Sequence, residues 1–356
     1  MKTMRLGKTE LDVSRVGIGG IPILRMDEAD AIDIIRYAAD LGITFFDTAN
    51  GYTSSKTTSE EIIGKGVADR REKVVIATKT AVRTQKGALK HLELSLKRLA
   101  TDYIDIWQFH GVNNDKAYKR IMAKDGAMAT AKEALETGAI RHIGFSSHSI
   151  DTALKMVESG KFETVQFPIN FVNNEAVDEL VPLTEKLDVG FIGMKPFAGG
   201  NLRHADLAIK YLLQFDNVLP DPGVQRFQEL IQIVDIVEGS WDLTPYDEKR
   251  IKEKRDELGT RFCRWCEYCM PCPNGVTISW VMNAQLVPSY GDRYYNNTAK
   301  AIETAKNCVQ CGECETKCPY ELPIMETLAE NVEYFGKLEP PMSYSSEPTE
   351  TTETPE

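Results

Sequence analysis

The run ADAIDIIRYAADLGITFFD, residues 29–47, decides how the longer, N-terminal part of the chain folds. Apolar side chains recur at Ile32, Ile35, Tyr37, Ala38 and Leu41, which puts them on one face of a helix. Gly42 follows where a helix commonly ends on a left-handed residue. Ile43-Thr44-Phe45-Phe46 is then a short run of β-branched and aromatic residues closed by a carboxylate, Asp47. Helix, glycine, buried strand and a polar residue at the strand end make one unit of a parallel α/β fold.

The same unit recurs on both sides. Short runs rich in Val, Ile and Phe lie at 13–19, 74–79, 104–110, 140–146, 164–169 and 189–194, with helical patterns at 85–99, 116–137, 152–160 and 174–187. Such alternation predicts parallel strands joined by crossover helices. A short eighth strand is expected at 217–219, where Pro220-Asp221-Pro222-Gly223 ends it, and a last helix at 225–237. Together these predict an α/β fold, a (β/α)8 TIM barrel. Residues 4–6 and 11–13, around Gly7-Lys8-Thr9, read as a hairpin across the barrel bottom.

The 356 residues exceed one barrel, and all of the Cys 8 fall after residue 260. The predicted organisation is a barrel over 1–240, a mostly helical ferredoxin-like region over 241–335 and a disordered acidic tail over 336–356. The second region opens with a highly charged helix, 247–258. The net charge of −11 and the lack of a Lys/Arg patch argue against nucleic acid or an anionic membrane as partners. The first residues carry no apolar signal core, and no apolar run reaches the ~20 residues of a membrane span. A cytoplasmic location is expected, where disulfides are rare and clustered cysteines serve as metal ligands.

Two cysteine runs stand out. One is Cys263-Arg-Trp-Cys266-Glu-Tyr-Cys269-Met-Pro-Cys272-Pro273, the other Cys308-Val-Gln-Cys311-Gly-Glu-Cys314-Glu-Thr-Lys-Cys318-Pro319. Cys-x-x-Cys-x-x-Cys wraps a loop whose sulfurs point inward, and in two-cluster ferredoxins the Cys-Pro of each run ligates the other cluster. That pattern assigns Cys263, Cys266, Cys269 and Cys318 to one 4Fe–4S cluster, and Cys308, Cys311, Cys314 and Cys272 to a second. The competing assignment is two structural zinc sites. Those use paired cysteines across a long gap, whereas four cysteines stand between 263 and 272 here.

In a parallel barrel, chemistry gathers at the C-terminal strand ends. Asp47, Lys79 and His110 each end a predicted strand, and Tyr52 follows Asp47 in its loop. A phenol with a pKa of about 10 donates poorly at neutral pH, so Lys79 is expected to lower Tyr52 while Asp47 holds the cation. An imidazole there would orient a carbonyl.

With these residues in view, the chain from Met4 to about Val237 resembles the aldo-keto reductase family. The resemblance rests on Arg5-Leu6-Gly7-Lys8-Thr9, Val13-Ser14-Arg15-Val16-Gly17-Ile18-Gly19, Phe46-Asp47-Thr48-Ala49-Asn50-Gly51-Tyr52, Ala77-Thr78-Lys79 and Gln108-Phe109-His110. It implies NAD(P)H-linked reduction of an aldehyde or ketone, with Tyr52 as acid, Lys79 and Asp47 its tuners and His110 the carbonyl orienter. It also implies cofactor contacts from Ser146, Ser147, Gln166, Met194, Lys195 and Arg226. Met194 stands where the family usually stacks an aromatic ring, and Arg226 is the lone cation of the phosphate-binding run. With the cysteines, the chain looks like the iron–sulfur branch of the family. Hydride carries two electrons and a cluster takes one, so joining them normally requires a flavin-like mediator. No flavin fingerprint is visible. The alternative is therefore a non-catalytic or flavin-dependent electron-transfer protein using the barrel as scaffold. Electron relay to a redox partner protein, or stabilisation of the C-terminal region, are the two expected cluster roles.

Overall fold

A computed structural model describes residues 1–54, 56–258, 262–264 and 268–339, with backbone alone at 288–293. The tail from 340 onward and Cys266 lie outside the described residues. The chain divides into two compact units, Met1–Gly259 and Thr260–Glu356.

The first unit opens with an antiparallel pair, β1 (Thr3–Arg5) and β2 (Asp12–Ser14), joined through a short 3₁₀ turn at Gly7–Thr9. Then come β3 (Gly17–Gly19), β4 (Phe45–Asp47), β5 (Val75–Thr80), β6 (Ile104–Phe109) and β7 (Ile140–Ser146). The series ends with β8 (Thr164–Pro168), β9 (Gly190–Met194) and β10 (Val218–Asp221). Strands β3 to β10 form one 8-stranded sheet, each pairing in parallel with the next. The sheet closes on itself where Gly19 bridges Gly223 and the Gly19 N–H donates to the Pro222 carbonyl at 2.8 Å. This is the expected barrel.

Three local differences from the sequence reading have physical causes. The run 13–19 breaks after Ser14, because the Ser14 hydroxyl donates to the Val16 carbonyl and Arg15 turns its guanidinium to the carbonyls of Val218 and Phe215. The expected helix 116–137 is two, Asp115–Met122 and Ala127–Glu136, separated at Gly126. The third difference is β10, which runs through Pro220 to Asp221 instead of stopping at 219. Residues two apart on a strand share a hydrogen-bonding side. Pro222 faces Gly19, so Pro220 also turns its missing N–H toward β3, where the ladder is sparse, while the β9 side pairs throughout.

Alternation sorts each strand's residues between two cores. Phe45, Ala77, Ile106, Ile192 and Leu219 fill the barrel interior under Leu6 and Val13 of the hairpin. Ile18, Phe46, Ile76, Trp107, Phe145 and Phe191 face outward against the helices. The charged helix Pro245–Leu258 belongs to this first unit, where Arg250 bonds Asp206 at 2.7 Å and Arg255 donates to the Phe171 carbonyl.

The second unit is helical. Ile278–Met282, Val287–Ala305 and Ile324–Gly336 surround a small core of Val276, Ile278, Val281, Leu322, Ile324 and Leu328. Asn331 ties it together by donating to the Val281 and Met282 carbonyls at 3.0 Å each. Among the described residues no helix is long and apolar enough to cross a membrane.

Candidate active site and cluster cavities

Two residues beyond each apolar interior position, the barrel lining becomes polar. Phe45 is followed by Asp47, Ala77 by Lys79, Ile106 by Gln108 and Leu219 by Asp221, while Met194 after Ile192 is the apolar exception. These residues stand at the last or next-to-last position of their strands, at the C-terminal mouth, so the sheet delivers polar groups from four strands to one layer.

Lys79, 1% exposed, donates to both oxygens of Asp47 at 2.7 and 2.6 Å and to the Thr48 carbonyl at 2.7 Å. Its ammonium lies 5.0 Å from the centroid of the Tyr52 ring. The Tyr52 ring meets His110 edge-on, with centroids 5.6 Å apart and planes at 80°. The Tyr52 backbone is pinned at both ends. Its N–H donates to the Ala49 carbonyl at 2.9 Å, and its carbonyl accepts from Ser59 N–H at 3.0 Å, at the start of helix Ser59–Gly66. That helix begins on a capping box: Thr58 accepts from the Glu61 N–H and the Glu61 carboxylate accepts from the Thr58 N–H. Asp47, Lys79, Tyr52 and His110 therefore converge at the mouth.

Magnitudes correct one expectation. The Tyr52 hydroxyl is pushed up to about 12: burial dominates, Asp47 and Asp221 push the same way, and Lys79 opposes without prevailing. His110 is driven down to about 3, first by burial and then by the surrounding cations Lys79, Arg83 and Lys195. At neutral pH the site holds a protonated phenol and a neutral imidazole.

The other anticipated residues are placed as follows. Ser146 is buried and accepts from the Gly111 N–H at 2.9 Å. The Ser147 hydroxyl donates to the Ser149 carbonyl at 3.1 Å and lies 3.3 Å from Asn113. Gln166 takes a hydrogen bond from Gln108 at 3.4 Å and donates to Asp221 at 3.1 Å. Met194 is half-buried at the end of β9, and Lys195 follows with φ 60°. Arg226 is exposed at the N-terminus of helix Phe227–Glu238. Sequence reading missed Asp221. The signal was available: Asp221 stands two places after inward Leu219, as Asp47 stands after Phe45.

In the second unit none of the described cysteines is joined in a disulfide. One pocket is lined by Cys269, Cys272, Cys308, Cys311 and Cys314. A second is lined by Cys263, Cys269 and Cys318 beside Ile278 and Leu322. Cys272 thus joins the later run, and Cys318 the earlier one. Left-handed backbone at Gln310 (φ 54°) and Gly312 (φ 74°) curls the chain on either side of Cys311, and glycine takes the second position without strain. No three His, Cys, Asp or Glu among the described residues converge on a point suited to one metal ion. Thiols spread around a pocket suit a cluster, whose ligands surround a cube.

Comparison with known proteins agrees with this geometry. Residues 15–245 match the model of the Aldo/keto reductase family, and residues 262–323 match that of a 4Fe-4S dicluster domain. Aldo-keto reductase YhdN of Bacillus subtilis is 33% identical over 254 residues, 66% of this chain and 74% of that protein. Probable aldo-keto reductase 1 of Glycine max is 28% identical over 56% of this chain and 60% of its own length. The solved holo structure of an aldo-keto reductase from Bacillus halodurans superposes with a TM-score of 0.60 at 24% identity, covering 71% of this chain and 96% of that one.

Proposed function

This chain belongs to the aldo/keto reductase family and carries a 4Fe–4S domain, and from that premise we propose that its barrel reduces the carbonyl of a small aldehyde or ketone with Tyr52 as the general acid. The observation that carries the reading is the placement of Tyr52 between the Lys79 ammonium and the His110 ring at one mouth. NAD(P)H supplies a hydride when bound. The Tyr52 hydroxyl, still protonated at neutral pH, gives its proton to the carbonyl oxygen. Lys79, clamped by Asp47 and Thr48, steadies the phenolate left behind. Neutral His110 hydrogen-bonds the same oxygen and adds no charge.

Ser146, Ser147, Gln166, Met194 and Lys195 border the mouth where the nicotinamide would lie. Arg226, at a helix N-terminus, suits a phosphate of the cofactor. In the second unit, iron–sulfur clusters supply one-electron chemistry when bound, and the cysteines complete an otherwise small core. Cys311 is exposed at the edge of its cavity beside exposed Val309, where a redox partner protein would approach.

Tyr52→Phe tests the reading. Carbonyl reduction is expected to fall ~10²–10⁴-fold with iron content and thermal unfolding unchanged. Unchanged turnover would remove Tyr52 from the acid role. The visible spectrum of the same anaerobic protein, before and after denaturation, distinguishes clusters from a released flavin; free flavin would favour the flavin-dependent alternative.

A further inference from the structure

Arg264 stands next to Cys263 and is only 6% exposed, a rare place for an arginine. Its guanidinium lies over two rings, with the guanidinium carbon 3.9 Å from the Tyr320 centroid and 4.7 Å from that of Phe262. Tyr320 follows Cys318 by two residues. The stack therefore ties the start of the first cysteine run to the end of the second. Arg264 and Tyr320 line the same pocket as Cys263, Cys269 and Cys318. A guanidinium stacked by its face donates through its edge, which carries five N–H groups.

The other pocket is furnished differently. Its charged side chains among the described residues are Glu313 and Lys317, which pair at 2.5 Å and so cancel. Cys311, on this pocket, is the one exposed cysteine among those described. One pocket thus holds a buried cation in its wall, and the other a compensated pair at an edge open to water.

A four-iron cluster on four thiolates is an anion, and reduction adds a further negative charge. A cation beside it, and N–H donors to its sulfurs, favour the reduced form. We propose that Arg264 makes the two clusters unequal, raising the reduction potential in the pocket of Cys263, Cys269 and Cys318 above that in the pocket of Cys272, Cys308, Cys311 and Cys314. This rests on each pocket holding a cluster. Water at Cys311 also favours a reduced cluster, but it reaches a single ligand at the edge. The guanidinium acts through the low-dielectric wall, where a unit charge is felt several times more strongly than across water. One electron given to the exposed cluster by a one-electron carrier protein then passes to the cluster beside Arg264. The first is reoxidised, the second is reduced, and no proton moves.

Anaerobic redox titration of the iron-loaded, full-length protein, followed by electron paramagnetic resonance, tests this. Wild type is expected to be reduced in two separate one-electron steps. In Cys318→Ala the step at higher potential is expected to vanish and the lower one to remain. Arg264→Gln is expected to make the upper reduction about tenfold less favourable, a fall of about 59 mV for one electron, with the lower step in place. Arg264→Lys, which keeps the charge, is expected to recover most of that fall. A stack that only braced the fold would cost iron without moving the midpoint of the clusters still bound. A single step in wild type, loss of the lower step in Cys318→Ala, or an unmoved upper midpoint in Arg264→Gln would overturn the proposal. Should either variant lose all its iron, the other decides together with wild type. Protein assembled anaerobically without iron would remove the cluster reading itself, whereas clusters of equal midpoint would remove only the role of Arg264.

Discussion

Tyr52 and His110 touch edge to face, yet the same surroundings move them in opposite directions. Burial disfavours whichever form is charged, so the phenol rises to about 12 and the imidazole falls to about 3. Lys79 opposes the first shift and adds to the second. His110 is therefore expected to contribute no ionisation to the kcat/KM profile between about pH 5 and 8, the window in which an ordinary histidine titrates. An acid limb near pH 6.5 that disappears in His110→Gln would contradict this. The sign for stability follows from the same shift. Below the ordinary value of 6.5 the unfolded chain binds the proton before the folded one does, so His110 costs stability as the pH falls toward 3. The four polar residues of the mouth could be read from the sequence because each stands at or just past a strand end. The balance between burial and Lys79 could not, because desolvation depends on neighbours from other strands.

At the scale of elements, helix Ser59–Gly66 holds the Tyr52 loop from below. Ser59 donates its N–H to the Tyr52 carbonyl, and its hydroxyl accepts from Thr48 at 2.8 Å. The Thr58–Glu61 capping box sets the start of that helix. Thr58→Ala is expected to lower barrel stability by about 1 kcal/mol, the usual loss for an N-cap, and to reduce kcat by loosening Tyr52. Denaturant unfolding followed at the barrel's own transition measures the first effect, and an unchanged midpoint would argue against the capping role. Strand β10 shows where element reading failed. Two prolines read as a strand end, yet both turn toward β3, where few ladder bonds exist to lose. The run 116–137 has a helical pattern throughout, and only the structure shows its break at Gly126.

At the scale of the whole molecule, the two units differ in how much core they own. The barrel has an inner and an outer core, while the second unit has, among the described residues, two small clusters, one in which cysteines pack beside aliphatic residues and one around Leu286, Tyr294 and Phe335. Small cores of this kind predict that removing the metal lowers the stability of this unit. Cys318 lines the cavity of Cys263 and Cys269. Cys318→Ala is therefore expected to retain about four of about eight irons per chain, counting two four-iron clusters. Hydrogen exchange should show lost protection in Val287–Ala305 and Ile324–Gly336 while the barrel strands stay protected. Loss of all iron, or equal loss of protection in the barrel, would contradict it.

The sequence alone determined the barrel and the two cysteine runs, because periodicity and spacing are local properties that survive any arrangement of the rest. It also placed Asp47, Lys79 and His110 at strand ends, since the strands themselves were readable. Tertiary structure decided what those groups feel. It buried Asp221 of β10 in the barrel mouth, where Gln166 of β8 donates to it at 3.1 Å. It placed the charged helix Pro245–Leu258 with the barrel through Arg250 and Arg255. It made Cys269 a wall of both cysteine cavities. Each of these depends on through-space distance and on exclusion of water, which exist only once the strands and loops have neighbours.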